Sequence, residues 1–423
     1  TMNATVLRVP ARPVRTPPPE PAFLRRRVDR YYRERVQETW DGGHIMVGRT
    51  PGPDAVRLVS NDYLCMARHP EVIAAQQRTL AEAEAPVMAA VFLHGENPQA
   101  RFEAAMARWM ECGATLLSQS GWAANTGLLQ AIAAPDVPCY VDLRAHMSLW
   151  EGVRAAGARA VPFRHNDPEH LERQLRRNGP GVVIVDSVYS TCGSVAPLAD
   201  LVALGERHGC VLVVDESHSL GTHGPGGRGL VVELGLARRV HFRTASLAKA
   251  FAGRAGIVAC SARVAEYLKY TANPAIFSSG LLPHEIAGLE ATRRVIHEAD
   301  DARLRLQRNA ARLREGLLAL GYDVAQSRSQ ILGLVAGHER RTIVLRDALE
   351  ARGVFGAVFC APATPKQGSL IRFSVHSELG EEALDHVLAV CAEIRGEVAL
   401  STWPAAAPRR RLRSPSLPAR CAG

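Results

Sequence analysis

Lysine is almost absent from this sequence. Its 423 residues include 51 lysines and arginines, of which only Lys249, Lys269 and Lys366 are lysines. Any reaction that needs a side-chain primary amine therefore has three candidates. Lys269 and Lys366 stand among polar neighbours, whereas Lys249 ends the stretch TASLAK (244–249), which is rich in small residues. We therefore predict that Lys249 is the lysine held in a partly buried, reactive environment.

Several other patterns are missing, and each absence excludes a class of protein. The nine cysteines form no CxxC pair and no cluster with histidine at zinc-ligand spacing, so we expect no metal site. No apolar run approaches the roughly 20 residues that cross a bilayer, and the Pro- and Arg-rich start lacks a secretory core. Neither a P-loop nor a GxGxxG after a strand is present, which argues against a dinucleotide enzyme. We expect a cytoplasmic enzyme with reduced cysteines.

Positive charge is in excess, with a formal net charge of +9. Much of this excess lies near the two ends, at Arg8, Arg12, Arg15, Arg25, Arg26, Arg27, Arg409, Arg410, Arg411, Arg413 and Arg420. Aromatic residues do not interleave with the C-terminal run, so we expect no nucleic-acid partner. Residues 1–22 and 404–423 are predicted to be disordered tails. Nucleic-acid binding through these tails remains a lesser alternative.

The middle of the chain alternates helical patterns with short β-branched runs. This alternation predicts βαβ units and a mainly parallel central sheet, an α/β fold. The predicted strands are Thr115–Gln119, Cys139–Asp142, Val182–Asp186, Val211–Asp215, His241–Thr244 and Gly256–Cys260.

The C-terminal third has a different pattern. A long helical region, 284–320, precedes strand-like segments at 330–335 and 370–375, with helices at 339–352 and 380–396. We predict an N-terminal segment at 23–70, a large domain at 71–283, and a linking helix with a small α+β domain at 284–403. Within the first of these, residues 23–40 have a charged helical pattern.

Two predicted strands end in carboxylates. Val182–Val185 leads into Asp186 and then Ser190, and Val211–Val214 leads into Asp215 and His218. A carboxylate directly after a buried strand is costly unless it has a partner. A helix cap is the structural alternative for either one alone. Ligands of open parallel sheets bind at this carboxyl edge, and a desolvated Lys249 would supply the neutral amine that imine formation requires.

A third feature fits a phosphate group. Ser120, Gly121 and Trp122 stand at a strand-to-helix turn, where backbone N–H groups and the helix dipole favour an anion. An amine, a strand-end carboxylate and an anion site are what pyridoxal 5′-phosphate (PLP) needs, with Asp215 as the partner of the ring nitrogen. His146 could stack on the ring, although a lone histidine is more often structural.

These pieces together resemble the α-oxoamine synthases, fold-type-I PLP enzymes that join an amino-acid-derived carbanion to an acyl-CoA. The resemblance covers about residues 25–395 and is strongest to the CqsA-type branch, which makes α-aminoketone quorum-sensing autoinducers. The stretches that carry it are SNDYLC (60–65), LLSQSGW (116–122), AHMSLWEG (145–152), GPGVVIVDSVYST (179–191), LVVDESHSLGTHGP (212–225), TASLAKAFAGRAG (244–256), PAIFSSGLLP (274–283) and GVFGAVFCAPAT (353–364).

The resemblance implies a role for each matching residue. Lys249 would bind PLP as a Schiff base and act as catalytic acid and base, with His146, Asp215 and His218 as further catalytic residues. The residues that would contact the cofactor are Ser120, Gly121, Trp122, His146, Ser190, Asp215, His218, Ser246, Lys249 and Ser279, the last from the partner subunit of a homodimer. Asn61 and Arg372 would bind the substrate carboxylate.

The chain also departs from relatives that use glycine or alanine. Ala248, Ala250 and Ala252 replace a Gly-rich stretch around the lysine, and DESH (215–218) replaces Asp-x-Ala-His. Both differences favour the autoinducer branch.

The implied reaction condenses a medium-chain acyl-CoA with S-adenosylmethionine or 2-aminobutyrate. Decarboxylation then gives an α-aminoketone or enaminone autoinducer precursor. Met88, Val91, Phe92 and Phe359 are candidates for the acyl tunnel, although such residues are more often core. The alternatives are a synthase that uses glycine, serine or alanine, and a PLP-fold regulator without catalysis. Aminotransfer is less favoured.

Overall fold

The computed structural model describes residues 18–82 and 97–403. The chain divides into two compact units, Thr1–Val47 and Gly48–Gly423. The basic residues of 1–17 and 404–423 and the tunnel candidates Met88, Val91 and Phe92 lie outside the described residues. In the described part of the chain, no helix is long and apolar enough to cross a membrane. The cytoplasmic location and the domain boundaries expected from the sequence stay predictions.

The N-terminal unit is helical, as its charged periodicity predicts. Helix α1 spans Ala22–Tyr31 and continues as a π-helical turn over Tyr32–Gln37. The turn is followed by a small aromatic cluster. The guanidinium of Arg35 lies 4.8 Å from the ring centroid of Trp40, a cation–π contact, and the Tyr31 hydroxyl is hydrogen-bonded to His44 Nε2 at 3.0 Å.

The second unit is built on a seven-stranded sheet. Its order is β2-β8-β7-β6-β5-β3-β4, where the strands are β2 Ala114–Ser118, β3 Pro138–Asp142, β4 Arg159–Phe163, β5 Val182–Asp186, β6 Val211–Asp215, β7 Phe242–Ser246 and β8 Gly256–Cys260. All neighbours pair in parallel except at β8, which is antiparallel to β2 and β7. Strands β3 and β5 are buried at every residue, as a sheet covered on both faces requires. This confirms the predicted α/β fold.

A smaller sheet joins the two ends of this unit. Its order is β1-β10-β11-β9, with β1 Val56–Leu58, β9 Ile331–Gly337, β10 Val354–Phe359 and β11 Ser369–Ser374. Strand β1 pairs in parallel with β10, so Val56 lies opposite Val354. The segment just before Asn61 is therefore fixed to the C-terminal sheet.

Helices cover both sheets and connect their strands. They are α2 Pro70–Glu82, α3 Pro98–Trp109, α4 Gly121–Ile132, α5 Met147–Ala155, α6 Pro168–Asn178, α7 Leu198–Arg207, α8 Leu230–Glu233, α9 Ala262–Thr271, α10 Asn273–Phe277, α11 Pro283–Glu298, α12 Asp300–Ala319, α13 Glu339–Glu350 and α14 Glu381–Glu393. Side-chain caps begin several of them: Asn97 accepts from Ala100 N, and Asp167 accepts from His170 N.

The predicted elements are confirmed with shifts of a few residues, and the three strands β1, β4 and β10 were not among the predicted strands. Strand β4 has the burial pattern of an edge, with Pro162 inside it, and so lacks the apolar run of a central strand. Strand β10 is interrupted by Gly356. The long helical region is two helices, α11 and α12, which meet at Ala299.

Candidate active site

The carboxyl edge of the large sheet brings the two strand-end carboxylates side by side. Asp186 lies opposite Asp215 in the parallel register, and Asp215 lies opposite Thr244 of the next strand, β7. Asp215 is 4% exposed. Its two oxygens accept from different groups: Oδ2 from Asn125 Nδ2 at 2.7 Å and Oδ1 from the backbone N–H of Ser217 at 2.8 Å. These bonds fix the direction in which the carboxylate points.

A chain of hydrogen bonds runs from Asp215 to His146. Asn125 on α4 also donates to Ser148 Oγ at 2.9 Å, and Ser148 Oγ is 2.7 Å from Nδ1 of His146. Because the backbone N–H of Ser148 also donates to Nδ1, at 3.3 Å, this nitrogen is an acceptor and the ring is neutral. Burial lowers the pKa of His146, and the nearby charge of Lys249 lowers it further against the opposing effect of Asp215.

Asp186 lies behind this chain. Its Oδ1 accepts from the backbone N–H of His146 at 3.2 Å. Complete burial, followed by the proximity of Asp215, raises the pKa of Asp186 well above its ordinary value. This shift favours the protonated form of Asp186, which lessens the repulsion between the two neighbouring carboxyl groups.

Lys249 lies in the loop after β7, in the same group of side chains. The loop is closed on itself: Ala252 N donates to Lys249 O, and Gly253 N donates to Leu247 O, each at 2.9 Å. Burial lowers the pKa of Lys249, and the charge of Arg372 lowers it further, while Asp215 opposes both. The neutral amine is therefore more accessible than in an ordinary lysine, as the sequence predicts.

The predicted anion site lies at the start of α4. Ser120 caps this helix by accepting from Ala123 N at 3.1 Å. Gly121 packs directly on Ser246, since a Cβ added at Gly121 would lie 2.5 Å from the Cβ of Ser246. Ser246 is itself held by Ser217, whose Oγ accepts from Ser246 N at 2.7 Å. The structure thus unites Ser120, Gly121 and Ser246 at one helix N-terminus.

Trp122 and Ser279 lie beside this helix start. Trp122 is 47% exposed, and its ring meets that of His146 edge to face with 6.3 Å between centroids. Ser279 is exposed, and its carbonyl oxygen accepts from Gln119 Nε2 at 2.8 Å. The predicted role of Ser279 in the partner's site stays a prediction.

The structure brings together the predicted carboxylate-binding pair, Asn61 and Arg372. Arg372 of β11 is 4% exposed. Its Nη2 donates to Asn61 Oδ1 at 2.8 Å, and its Nη1 donates to Ser190 O at 2.9 Å. The guanidinium lies 4.6 Å from the ring centroid of Phe359. Phe359 therefore faces this site, and its contact with Arg372 is enough to explain its position. Its role in an acyl tunnel stays a prediction.

His218 completes the site. Its Nδ1 is hydrogen-bonded to the Tyr63 hydroxyl at 2.7 Å, and that hydroxyl also donates to Asn61 Oδ1 at 3.3 Å. Burial lowers the pKa of His218 well below its ordinary value, and the charges of Lys249 and Arg372 act in the same direction. His218 is therefore neutral and lies near both Lys249 and Arg372.

Some members of the site were not singled out from the sequence. Asn125 is buried among apolar residues of α4, and its burial depends on which face of the helix meets the sheet, which no local sequence pattern shows. Tyr63, Ser148 and Ser217 were the other omissions.

The residues present fit PLP. A buried lysine of lowered pKa, a fixed carboxylate and a capped helix start surround one region. Two buried polar atoms near it have no hydrogen-bond partner within the described ranges, Nε of Arg372 and Oδ1 of Asn125. Buried polar groups without partners are unusual in a finished site, and bound molecules commonly supply the missing bonds.

Comparison with known proteins decides the family. The family described as aminotransferase class I and II matches residues 53–390. The chain belongs to this family. It is 48% identical to a CAI-1 autoinducer synthase of Vibrio campbellii, over 89% of this chain and 95% of that protein. It is 34% identical to a putative 8-amino-7-oxononanoate synthase of Paramagnetospirillum magneticum, over 86% of this chain and 94% of that protein.

Solved structures of the family agree. A serine palmitoyltransferase of Sphingomonas wittichii superposes with a TM-score of 0.77 at 27% identity, covering 83% of this chain and 89% of that one. A serine palmitoyltransferase of S. paucimobilis with bound PLP and myriocin gives 0.80 at 26% identity, covering 90% and 98%. The predicted family, fold type and cofactor are confirmed: the chain is a PLP-dependent acyltransferase of the α-oxoamine synthase type within the aminotransferase class I and II family.

Proposed function

We propose that the enzyme condenses a medium-chain acyl-CoA with S-adenosylmethionine or 2-aminobutyrate, with loss of CO₂. The product is an α-aminoketone or enaminone precursor of a quorum-sensing autoinducer. The observation that carries this proposal is the 48% identity to the CAI-1 autoinducer synthase over nearly the whole of both chains.

The site geometry supports an amino-acid substrate. Arg372 is buried and makes no ion pair with a carboxylate in the described part of the chain, although its charge lies close enough to affect Lys249. A carboxylate bound at Arg372 and Asn61 therefore places an α-amino group near Lys249. Both candidate donors have this pairing of amine and carboxylate, as do glycine, serine and alanine.

The chain's residues then have separate roles. PLP, when bound, supplies an electron sink for the negative charge that develops at the substrate's Cα. Asp215, oriented by Asn125, would hold a proton on the ring nitrogen of the cofactor. Lys249 would remove the Cα proton, and its lowered pKa increases the fraction of neutral amine available for this step. Neutral His218 and Ser190 would contact the ring oxygen of the cofactor, and Arg372 would keep the substrate carboxylate in place while the acyl group is transferred.

The identity of the amino donor distinguishes the proposed function from that of a synthase that uses glycine, serine or alanine. We would incubate the holoenzyme with acyl-CoA of graded chain length and each of S-adenosylmethionine, 2-aminobutyrate, glycine, serine and alanine, and identify products by mass spectrometry. Lys249→Ala is the control for background reaction. Product formed with S-adenosylmethionine or 2-aminobutyrate and a medium-chain thioester supports the proposal. Product formed only with glycine, serine or alanine would assign the enzyme to the alternative group of synthases.

We also propose that two copies form a homodimer with a shared active site. Large apolar side chains near Ser279 are exposed in the single chain, with Phe277 at 82% and Tyr270 at 65%. Such a patch is typical of a surface that is covered in the assembly. Size-exclusion chromatography of the holoenzyme with in-line light scattering should give a molar mass twice that of one chain. A molar mass equal to that of one chain would contradict the proposal.

A further inference from the structure

A second cluster of polar side chains lies beside the site, and the reaction above does not use it. His165 Nδ1 donates to Asp142 Oδ1 at 2.9 Å, and its Nε2 is 2.8 Å from Ser194 Oγ. Ser194 Oγ is in turn 3.1 Å from Cys192 Sγ. Four residues thus form a continuous chain from a buried carboxylate to a thiol, an order that resembles the acid, base and nucleophile of covalent catalysts.

The cluster is enclosed by protein and contains an unused donor. Cys192 is 7% exposed and Ser194 is 3% exposed. The ring of Tyr189 packs edge-on against His165 with 4.4 Å between centroids. Its hydroxyl is buried and has no partner at hydrogen-bond geometry within residues 18–82 and 97–403, although burial and then the nearby charge of Asp142 raise its pKa. An oxygen added to the thiol would bring an acceptor into the neighbourhood of this donor.

The charges around the thiol favour its ionised form. Burial raises the pKa of Cys192, but the bond to His165 and the positive charges of Arg144 and His165 outweigh it and lower the pKa to about 6. The carboxylate that contacts the histidine is Asp142. It raises the pKa of His165 against the opposing effect of burial. Asp186 and Tyr189 also lie near the thiol, and Cys192 adds to the rise in the pKa of each.

The other described cysteines provide a contrast. Cys65 and Cys112 are more exposed than Cys192. Burial and the charges of Glu378 and Asp62 raise the pKa of Cys65 to about 12, and burial raises that of Cys112. The least exposed of these three thiols, Cys192, is therefore the one that ionises most readily.

We propose that Cys192 is a site of oxidation by peroxide, activated by His165, Ser194 and Asp142. The thiol proton passes through the Ser194 hydroxyl to His165 Nε2. The sulfur then attacks one oxygen of the peroxide and the O–O bond breaks. For hydrogen peroxide, the departing hydroxide takes the proton from His165, so thiol and peroxide become sulfenic acid and water.

The position of Cys192 connects this chemistry to the substrate site. Cys192 belongs to a tight turn in which Tyr189 N donates to Ser194 O and Gly193 N donates to Tyr189 O, each at 2.9 Å. The same turn includes Ser190, whose carbonyl oxygen accepts from Arg372. The turn also packs closely on β9, because a Cβ at Gly193 would overlap the carbonyl oxygen of Ile331. An oxygen added to the Cys192 sulfur would therefore disturb the turn whose residue Ser190 holds Arg372.

Peptide mapping of the holoenzyme tests the proposal without an activity assay. Holoenzyme is exposed to substoichiometric hydrogen peroxide with dimedone, which traps sulfenic acid, and each cysteine is quantified by mass spectrometry. At pH 7 we expect Cys192 to be labelled at least about tenfold faster than Cys65 or Cys112, because the thiolate is the reactive form. Labelling of Cys192 that is no faster than that of these two thiols would overturn the proposal.

A pH profile and a variant identify the activating group. Alkylation of Cys192 should reach half its maximal rate near pH 6 in the wild-type holoenzyme. His165→Gln should move this midpoint upward, whereas His386→Gln, an exposed histidine on α14, should leave it unchanged. A wild-type midpoint at the ordinary thiol value would refute the assignment even if the His165 variant does not fold.

Discussion

Arg372 and Asn61 are 311 positions apart in the chain, and Nη2 of the first donates to Oδ1 of the second across 2.8 Å. The arginine comes from the small sheet and the asparagine from the segment after β1. Both are placed before any substrate arrives, because Ser190 O and the Phe359 ring hold the other sides of the guanidinium. A planar donor fixed in this way is suited to a carboxylate.

Arg372→Lys should weaken binding of the amino substrate with a smaller effect on acyl-CoA. A lysine keeps the charge but loses the planar pair of donors, which for hydrogen bonds to charged groups amounts to about 1.5–3 kcal/mol, or roughly 10- to 150-fold in KM. Steady-state kinetics with each substrate varied in turn would measure the effect. Arg173→Lys, on the exposed face of α6, is the matched control. Equal losses for both substrates would contradict a carboxylate-specific role.

Lys249→Ala should abolish covalent attachment of PLP. Since the chain has only three lysines, Lys269→Ala and Lys366→Ala are complete controls and should keep it. Borohydride reduction followed by peptide mass spectrometry locates the bound cofactor directly. A modified peptide that contains Lys269 or Lys366 would show that the lowered pKa of Lys249 has another cause.

Gly121→Ala should weaken PLP binding, by about tenfold or more. The new Cβ would lie 2.5 Å from the Cβ of Ser246, so either the helix start or Ser246 must move. A displacement of this size disturbs the anion site at the helix N-terminus. Equilibrium titration of the apoenzyme with PLP measures it. Gly396→Ala, where an added Cβ meets nothing within 4 Å, should bind PLP like the wild type.

The apoenzyme should lose stability as the pH falls below about 6.5, and His218 should account for part of the loss. Its pKa is lowered in the folded state, so between its folded pKa and its unfolded value near 6.5 the unfolded chain binds the extra proton. Stability therefore rises with pH across this window and is lost as pH falls, by up to about 1.4 kcal/mol per pH unit for one group.

Urea unfolding of the wild type and of His218→Asn between pH 5 and 8 checks this sign. The variant should have a shallower dependence of unfolding free energy on pH below 6.5. Parallel curves for the two proteins would mean that His218 is protonated in the folded state as readily as in the unfolded one.

The sequence predicts the individual parts of the site better than their connections. Asp186 and Asp215 could be found because a charge directly after a buried strand needs an explanation. Asn125 could not, because its environment depends on which face of α4 meets the sheet. The bond between Tyr63 and His218 likewise joins two segments that no local pattern relates. The family resemblance supplied roles for Asn61 and Arg372, but only the fold shows that they touch.

The three-residue strand β1 has a consequence for how the protein is made. Its pairing partner β10 and the arginine of β11 are translated almost last, whereas β1 and Asn61 are among the first structured segments of the second unit. All seven strands of the large sheet, with Lys249 and Asp215, precede Arg372 in the sequence and are therefore translated before it. Chains released early from the ribosome would therefore lack Arg372, the residue proposed to bind the substrate carboxylate.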